Sequence, residues 1–265
     1  MSVKRLYLVS LLVFIAVAIA YGPIPQPQDY HEFADDREFI GIPNALDVMS
    51  NLVIIYPGII GLAFVHERRK NPPVLDDETS IHITLFAGMI LTFAGSVWFH
   101  LDPNDSTMLW DRLGMSIIIG SCISLIINDF WDRGLAGKIH LPIIVASIIS
   151  VLWWPVFDDL RVYFIVKHHP FILFPILLVF GTRAYDKISG YYWGLSMFVL
   201  ATIFEFADEA IFQVTGFISG HTLKHIAAGI GLWFLMVMIR DRTSISSEEE
   251  LCTNANLIVS QDYIL

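Results

Sequence analysis

Long apolar runs separated by short polar stretches dominate the chain. They fall at roughly 45–65, 81–100, 109–128, 140–157, 162–181, 191–212 and 220–239. A helix rises ~1.5 Å per residue and a bilayer's hydrocarbon is ~30 Å thick, so runs of ~20 residues predict membrane-spanning helices. The prediction is an all-α, polytopic membrane protein, a seven-transmembrane-helix bundle. Lys167-His168-His169-Pro170 interrupts the fifth run and leaves the fourth and fifth boundaries soft. Upstream, Lys4-Arg5 leads a shorter apolar stretch, Leu6 to Ala20, that ends in Ala18-Ile19-Ala20. A basic start, a short apolar core and small residues around Ile19 predict a signal peptide over 1–20, the alternative being an uncleaved signal anchor. Residues 21–43 then form an acidic lumenal segment and 44–240 the helical domain. The polar stretch 241–265, with Glu248-Glu249-Glu250, forms a cytosolic tail.

Charge in the loops sets the orientation. With the segment before the first span outside, the inside loops hold Arg68, Arg69, Lys70, Arg133, Lys138, Arg183, Lys187, Arg240 and Arg242. The outside segments keep chiefly Arg37 and Arg161. This bias obeys the positive-inside rule loop by loop and agrees with the signal peptide. A sequon, Asn104-Asp105-Ser106, falls in an outside loop.

Composition supports the membrane reading: hydrophobic residues make up 55% and charged residues 16% of the 265, and net charge is −10. Soluble domains carry about 25% charged residues, so this chain has too little polar surface to cover a globule in water. Its acidity argues against nucleic acid as a partner. Cys122 and Cys252 lie far apart, one in an apolar run and one in the tail, so no disulfide framework is expected.

Ionisable residues inside spans are costly and mark functional sites. Ser96 and His100 are i, i+4 at the outer end of the second predicted helix, and Asp111 opens the third. His221 and His225 are i, i+4 at the outer end of the last. Three histidines and an aspartate from three helices thus share one membrane depth. Three neutral imidazoles satisfy zinc and leave a fourth position for water, whose pKa zinc lowers to about 7. A Ser96–His100–Asp111 acyl-enzyme is the rival arrangement, and it leaves His221 and His225 without a role. Asn44, Asp47, Ser50 and Asn51, at the start of the first span, read as helix-packing hydrogen bonders. Glu205 and Asp208 either accept from a zinc-bound histidine or, as the alternative, form a plain interhelical ion pair or face the mouth of the bundle.

The motifs Ser96-Val-Trp-Phe-His100, Trp110-Asp111-Arg112-Leu113 and His221-Thr-Leu-Lys-His225, with Gly41 to Asn51, form a pattern. From about Asp29 to Arg240 the chain resembles the alkaline ceramidase (alkaline phytoceramidase) family. That family belongs to a wider group of seven-helix membrane hydrolases that includes the adiponectin and progestin receptors. The resemblance implies zinc on His100, His221 and His225, assisted by Ser96 and Asp111. It also implies hydrolysis of ceramide-like membrane lipids to a sphingoid base and a fatty acid. It implies calcium on Asp29, Tyr30 through its carbonyl, Glu32, Asp35 and Asn44, though the match needs one inserted residue between Glu32 and Asp35. Asn44 also stands where better-known members have a carboxylate, and the alternative is a solvated acidic segment. The setting expected is the secretory pathway, endoplasmic reticulum or Golgi. A receptor with a structural or vestigial zinc site is the main alternative to the enzyme; a proton-coupled transporter is a further one, without inverted repeats to support it.

Overall fold

The computed structural model describes residues 3–70 and 77–245. The expected cytosolic tail, with its glutamate run and Cys252, lies almost wholly outside the described residues.

The described chain is helical, with no β-strand. Helix α1 (Val3–Tyr21) is followed by an irregular segment with one short 3-10 turn, Gln28–His31. Then come α2 (Ala45–Ser50), α3 (Leu52–Lys70), α4 (Asp77–Leu101), α5 (Asp105–Phe130) and α6 (Arg133–Phe157). The order ends with α7 (Arg161–Phe180), α8 (Ser189–Phe206), α9 (Asp208–Thr215) and α10 (Gly220–Asp241). Among the described residues six spans are long and apolar enough to cross a membrane: 45–70, 78–101, 105–130, 133–157, 161–180 and 220–241.

The count is therefore six where the apolar runs predict seven. The sixth run, 191–212, breaks at Ala207 into α8 and α9. The start of α8, Ser189-Gly190-Tyr191-Tyr192-Trp193-Gly194, is only weakly apolar. The break falls between Glu205 and Asp208, which turn their carboxylates to Lys224 and to the main chain of His221. The fifth run, by contrast, is not interrupted: α7 runs through Pro170 and Pro175. α1 packs on α7, with Tyr7 hydrogen-bonded to His169 and edge-on to Trp131.

Side-chain caps set several helix starts. Asn104 accepts from the backbone of Ser106 and Thr107 at 2.9 and 3.2 Å and begins α5; Asp132 does the same for α6 and Ser219 for α10. The asparagine of the sequon is thus engaged as a cap. Neighbours run α8, α10, α3, α4, α5, and then α6 and α7, while α7 meets α8 chiefly through aromatic side chains, Phe171 on Phe198 and Phe174 on Tyr191 and Tyr192.

The core is built by Phe86, Leu125, Phe130, Leu173, Leu177 and Met236, all buried. Outside it, Leu141, Val156 and Val179 are 69–71% exposed. Such an apolar belt is a liability in water and is solvated in lipid.

Candidate metal centre

Two helices bring the histidines together. His100 lies in the last turn of α4, and His221 and His225 lie in the first two turns of α10. Ser219 caps α10 by accepting from the Thr222 amide at 3.0 Å, and Asp208 accepts from the His221 amide at 2.7 Å. Gly220 allows this closeness, because a Cβ there would stand 2.6 Å from the Asp208 Cα. On α4, a Cβ at Gly95 would meet the Asp111 amide nitrogen at 2.7 Å. α4 and α5 therefore touch backbone to backbone, which sets Ser96, one turn before His100, beside Asp111.

The three rings pack with centroids 4.8–4.9 Å apart, and each is at most 5% exposed. One ligand nitrogen from each lies within 4.8 Å of the others. His225 Nδ1 lies 2.8 Å from Ser50 Oγ and 3.2 Å from the Asp47 carbonyl. A carbonyl only accepts, and Ser50 spends its own hydrogen on that carbonyl at 2.9 Å. Nδ1 therefore carries the ring hydrogen and Nε2 keeps its lone pair for a metal. His100 Nδ1 is buried without a hydrogen-bond partner among the described residues. An orphaned imidazole nitrogen costs about 1–3 kcal/mol unless something pairs with it. Three buried imidazoles, one tautomer fixed and one nitrogen orphaned, fit a divalent metal with nitrogen preference. Among the described residues this is the one group of three or more histidine, cysteine or carboxylate side chains so close together.

Asp111 is half-buried, with the buried Ser96 hydroxyl as a near electrostatic neighbour. Asp47 accepts from Thr222 Oγ1 at 2.5 Å, while its Oδ2 is buried without a partner among the described residues. Segment 22–44 lies across this end of the bundle. Phe33 rests its ring 4.6 Å from His100 and 4.9 Å from His221, and Ile24 and Gln26 donate to Asp159 and Asp158.

Charges surround the centre. Lys224 pairs with Glu205 at 3.0 Å, and Tyr30 donates to the same carboxylate at 2.5 Å. Burial raises the Tyr30 phenol above its ordinary range, so it remains a donor. Of the two readings of Glu205 and Asp208, Glu205 takes the ion pair, whereas Asp208 holds main chain and no imidazole. Arg112 is buried among Trp154, Tyr163 and Tyr30, with centroids 4.6, 5.5 and 6.0 Å from its guanidinium carbon. Its Nη2 donates to Gln26 Oε1 at 2.6 Å and its Nη1 has no partner among the described residues. Aromatic faces return on the order of 2 kcal/mol to a desolvated cation, whereas removing a charge from water costs several.

The calcium candidates are not brought together in this way. Asp29 and Glu32 are exposed. Asp35 is buried with both oxygens on Arg37, at 2.6 and 2.7 Å. Asn44 donates its amide to the His100 carbonyl at 2.8 Å.

Sequence reasoning missed the part played by Ser50 and Asp47, 175 and 178 residues from His225, for which spacing gives no signal. It also passed over Arg112 and Lys167, although charges inside apolar runs are the usual cue.

Compared with protein-family models and with curated proteins, the chain matches none. Fold and site together define a multi-pass helical membrane protein whose buried histidine group could hold a metal ion.

Proposed function

We propose that the protein is an intramembrane zinc-dependent amidase that hydrolyses the N-acyl bond of ceramide-like lipids, with α8 as a seventh span. The observation that carries this reading is the Ser96–Asp111 pair beside three buried histidines. Structural zinc takes four protein ligands, and three with a carboxylate nearby leave room for chemistry. When bound, zinc supplies a Lewis acid and a water with a pKa of about 7.

His100, His221 and His225 hold the ion, and Ser50 with the Asp47 carbonyl fixes the ring of His225. Asp111 takes the proton of the attacking water and returns it to the amine as the carbon–nitrogen bond breaks. Ser96 donates to the oxygen that gains charge on the amide carbon. Phe33 covers the histidines and keeps bulk water from them. The seam between α7 and α8, bridged by side chains, gives an acyl chain its way in from the bilayer.

The test is elemental analysis of the purified full-length chain alongside fatty-acid release from a panel of ceramides. The expected result is about one equivalent of zinc and release from at least one ceramide. His221→Ala should lose both. A wild-type protein that holds no zinc, or that releases nothing from the panel, overturns the proposal.

A further inference from the structure

We infer that the lipid this site takes carries an anionic head group, phosphate or carboxylate, held by Arg112 and Lys167. The inference rests on the amidase reading and narrows its substrate class.

It begins from the charges around the histidines. Lys224 and Glu205 satisfy each other at 3.0 Å. Asp111 lies within electrostatic reach of Arg112 without pairing with it, and no carboxylate lies within 4 Å of Arg112 or Lys167 among the described residues. Arg112 is 7% exposed. Among the described residues its one side-chain acceptor is the Gln26 amide, which is neutral, and the buried Nη1 has none. The aromatic cage fixes the guanidinium without supplying negative charge. Lys167 lies on α7 at the α8 seam, its ammonium 5.9 Å from the Phe198 ring centre. It makes no hydrogen bond or ion pair among the described residues, and Arg112, Lys224, Glu205 and Asp111 lie within its electrostatic reach.

Two unpaired cations inside one end of a membrane bundle are unfavourable unless a ligand brings the missing charge. The hydroxyls of a neutral ceramide accept hydrogen bonds but compensate no charge. A guanidinium edge with a free nitrogen matches a phosphate or carboxylate, and a mobile ammonium adds a second contact. Arg112 follows Asp111 in the chain. An anion there sits close to the amide, so it belongs on the amine part of the substrate rather than on the far end of the acyl chain.

The experiment uses full-length protein in phosphatidylcholine nanodiscs and four probes with one acyl chain: N-oleoyl sphingosine, its 1-phosphate, N-oleoyl serine and oleate. Affinity and fatty-acid release are read separately. The phosphate or the serine amide should bind about tenfold or more tightly than the neutral ceramide, and which of them does so identifies the anion. Arg112→Gln and Lys167→Gln should each cut the anionic-to-neutral affinity ratio about tenfold, while Arg112→Lys retains most of it. If Arg112→Gln does not fold, Lys167→Gln carries the test. Equal affinity for neutral and anionic amides overturns the inference. So does a loss confined to oleate, which makes the cations a product site. Tight anionic binding without release from any probe upholds the head-group site and fails the amidase reading. Release from neutral ceramide without anionic binding does the reverse.

Discussion

Under the proposed function, Ser50 and Asp111 divide the work of the centre between holding and reacting. Ser50 fixes the tautomer of His225 through a 2.8 Å contact and touches no reacting atom. Such supporting groups tune metal affinity by roughly 10–100-fold. Because the Asp47 carbonyl still faces Nδ1 at 3.2 Å, Ser50→Ala should weaken zinc by about tenfold, measured by competition with a chelator. Unchanged affinity would mean that the carbonyl alone orients the ring. Asp111→Asn should keep the zinc and lose amidase turnover by about 100-fold or more, because the amide cannot accept the proton. Zinc lost in step with activity would instead make Asp111 a ligand. The histidines were legible in the sequence because i, i+4 spacing at one depth survives any error in helix boundaries. Ser50 was not, since its partner is distant in the chain and a serine beside an asparagine reads as packing.

At the scale of elements, the α4–α5 contact decides whether Ser96 reaches Asp111. Gly95 permits it: a Cβ would meet the Asp111 amide nitrogen at 2.7 Å and the backbone of Trp110 closer still. Backbone cannot move aside as a side chain can. Gly95→Leu should cost about 1–3 kcal/mol by overpacking and remove most activity, checked by melting and turnover together. Full activity with unchanged melting would show that the helices need not touch there. Apolar runs of spanning length made most of these helices readable in advance. They failed at the sixth run, where polar contacts by Glu205 and Asp208 turn one apolar stretch into two helices. They held at the fifth run, where Lys167 to Pro170 softens the pattern yet is carried inside α7. Asn104 likewise reads as a glycosylation acceptor in the sequence and serves as a cap in the fold.

The whole molecule is held differently at its two ends. α10 spans 22 residues, so His221 and the residue after its last turn, Arg242, stand roughly 32 Å apart. At the far end Arg242 is buried between Glu78 of α4 and Asp129 of α5, stacked 3.9 Å from the Tyr185 ring centre. Tyr185 donates to Glu78 at 2.5 Å and Tyr191 to Asp129 at 2.6 Å. One arginine thus ties α10 to α4 and α5, the helices that carry His100 and Asp111 at the opposite end. Removing it leaves two buried carboxylates without their guanidinium, with the His82 imidazole, 3.4 Å from Glu78, beside them. A broken buried pair costs about 3–5 kcal/mol, whereas replacing all its members by neutral groups is close to neutral. Arg242→Met should therefore lower the melting midpoint sharply at a fixed heating rate, and Glu78→Gln with Asp129→Asn in the same chain should restore most of it. Zinc content of the folded fraction should stay at the wild-type value, because none of these groups touches His100, His221 or His225. An unchanged midpoint in Arg242→Met would show that the two tyrosines suffice to hold the carboxylates. Zinc lost from protein that remains folded would show instead that this clamp sets the spacing of α4 and α10 along their whole length.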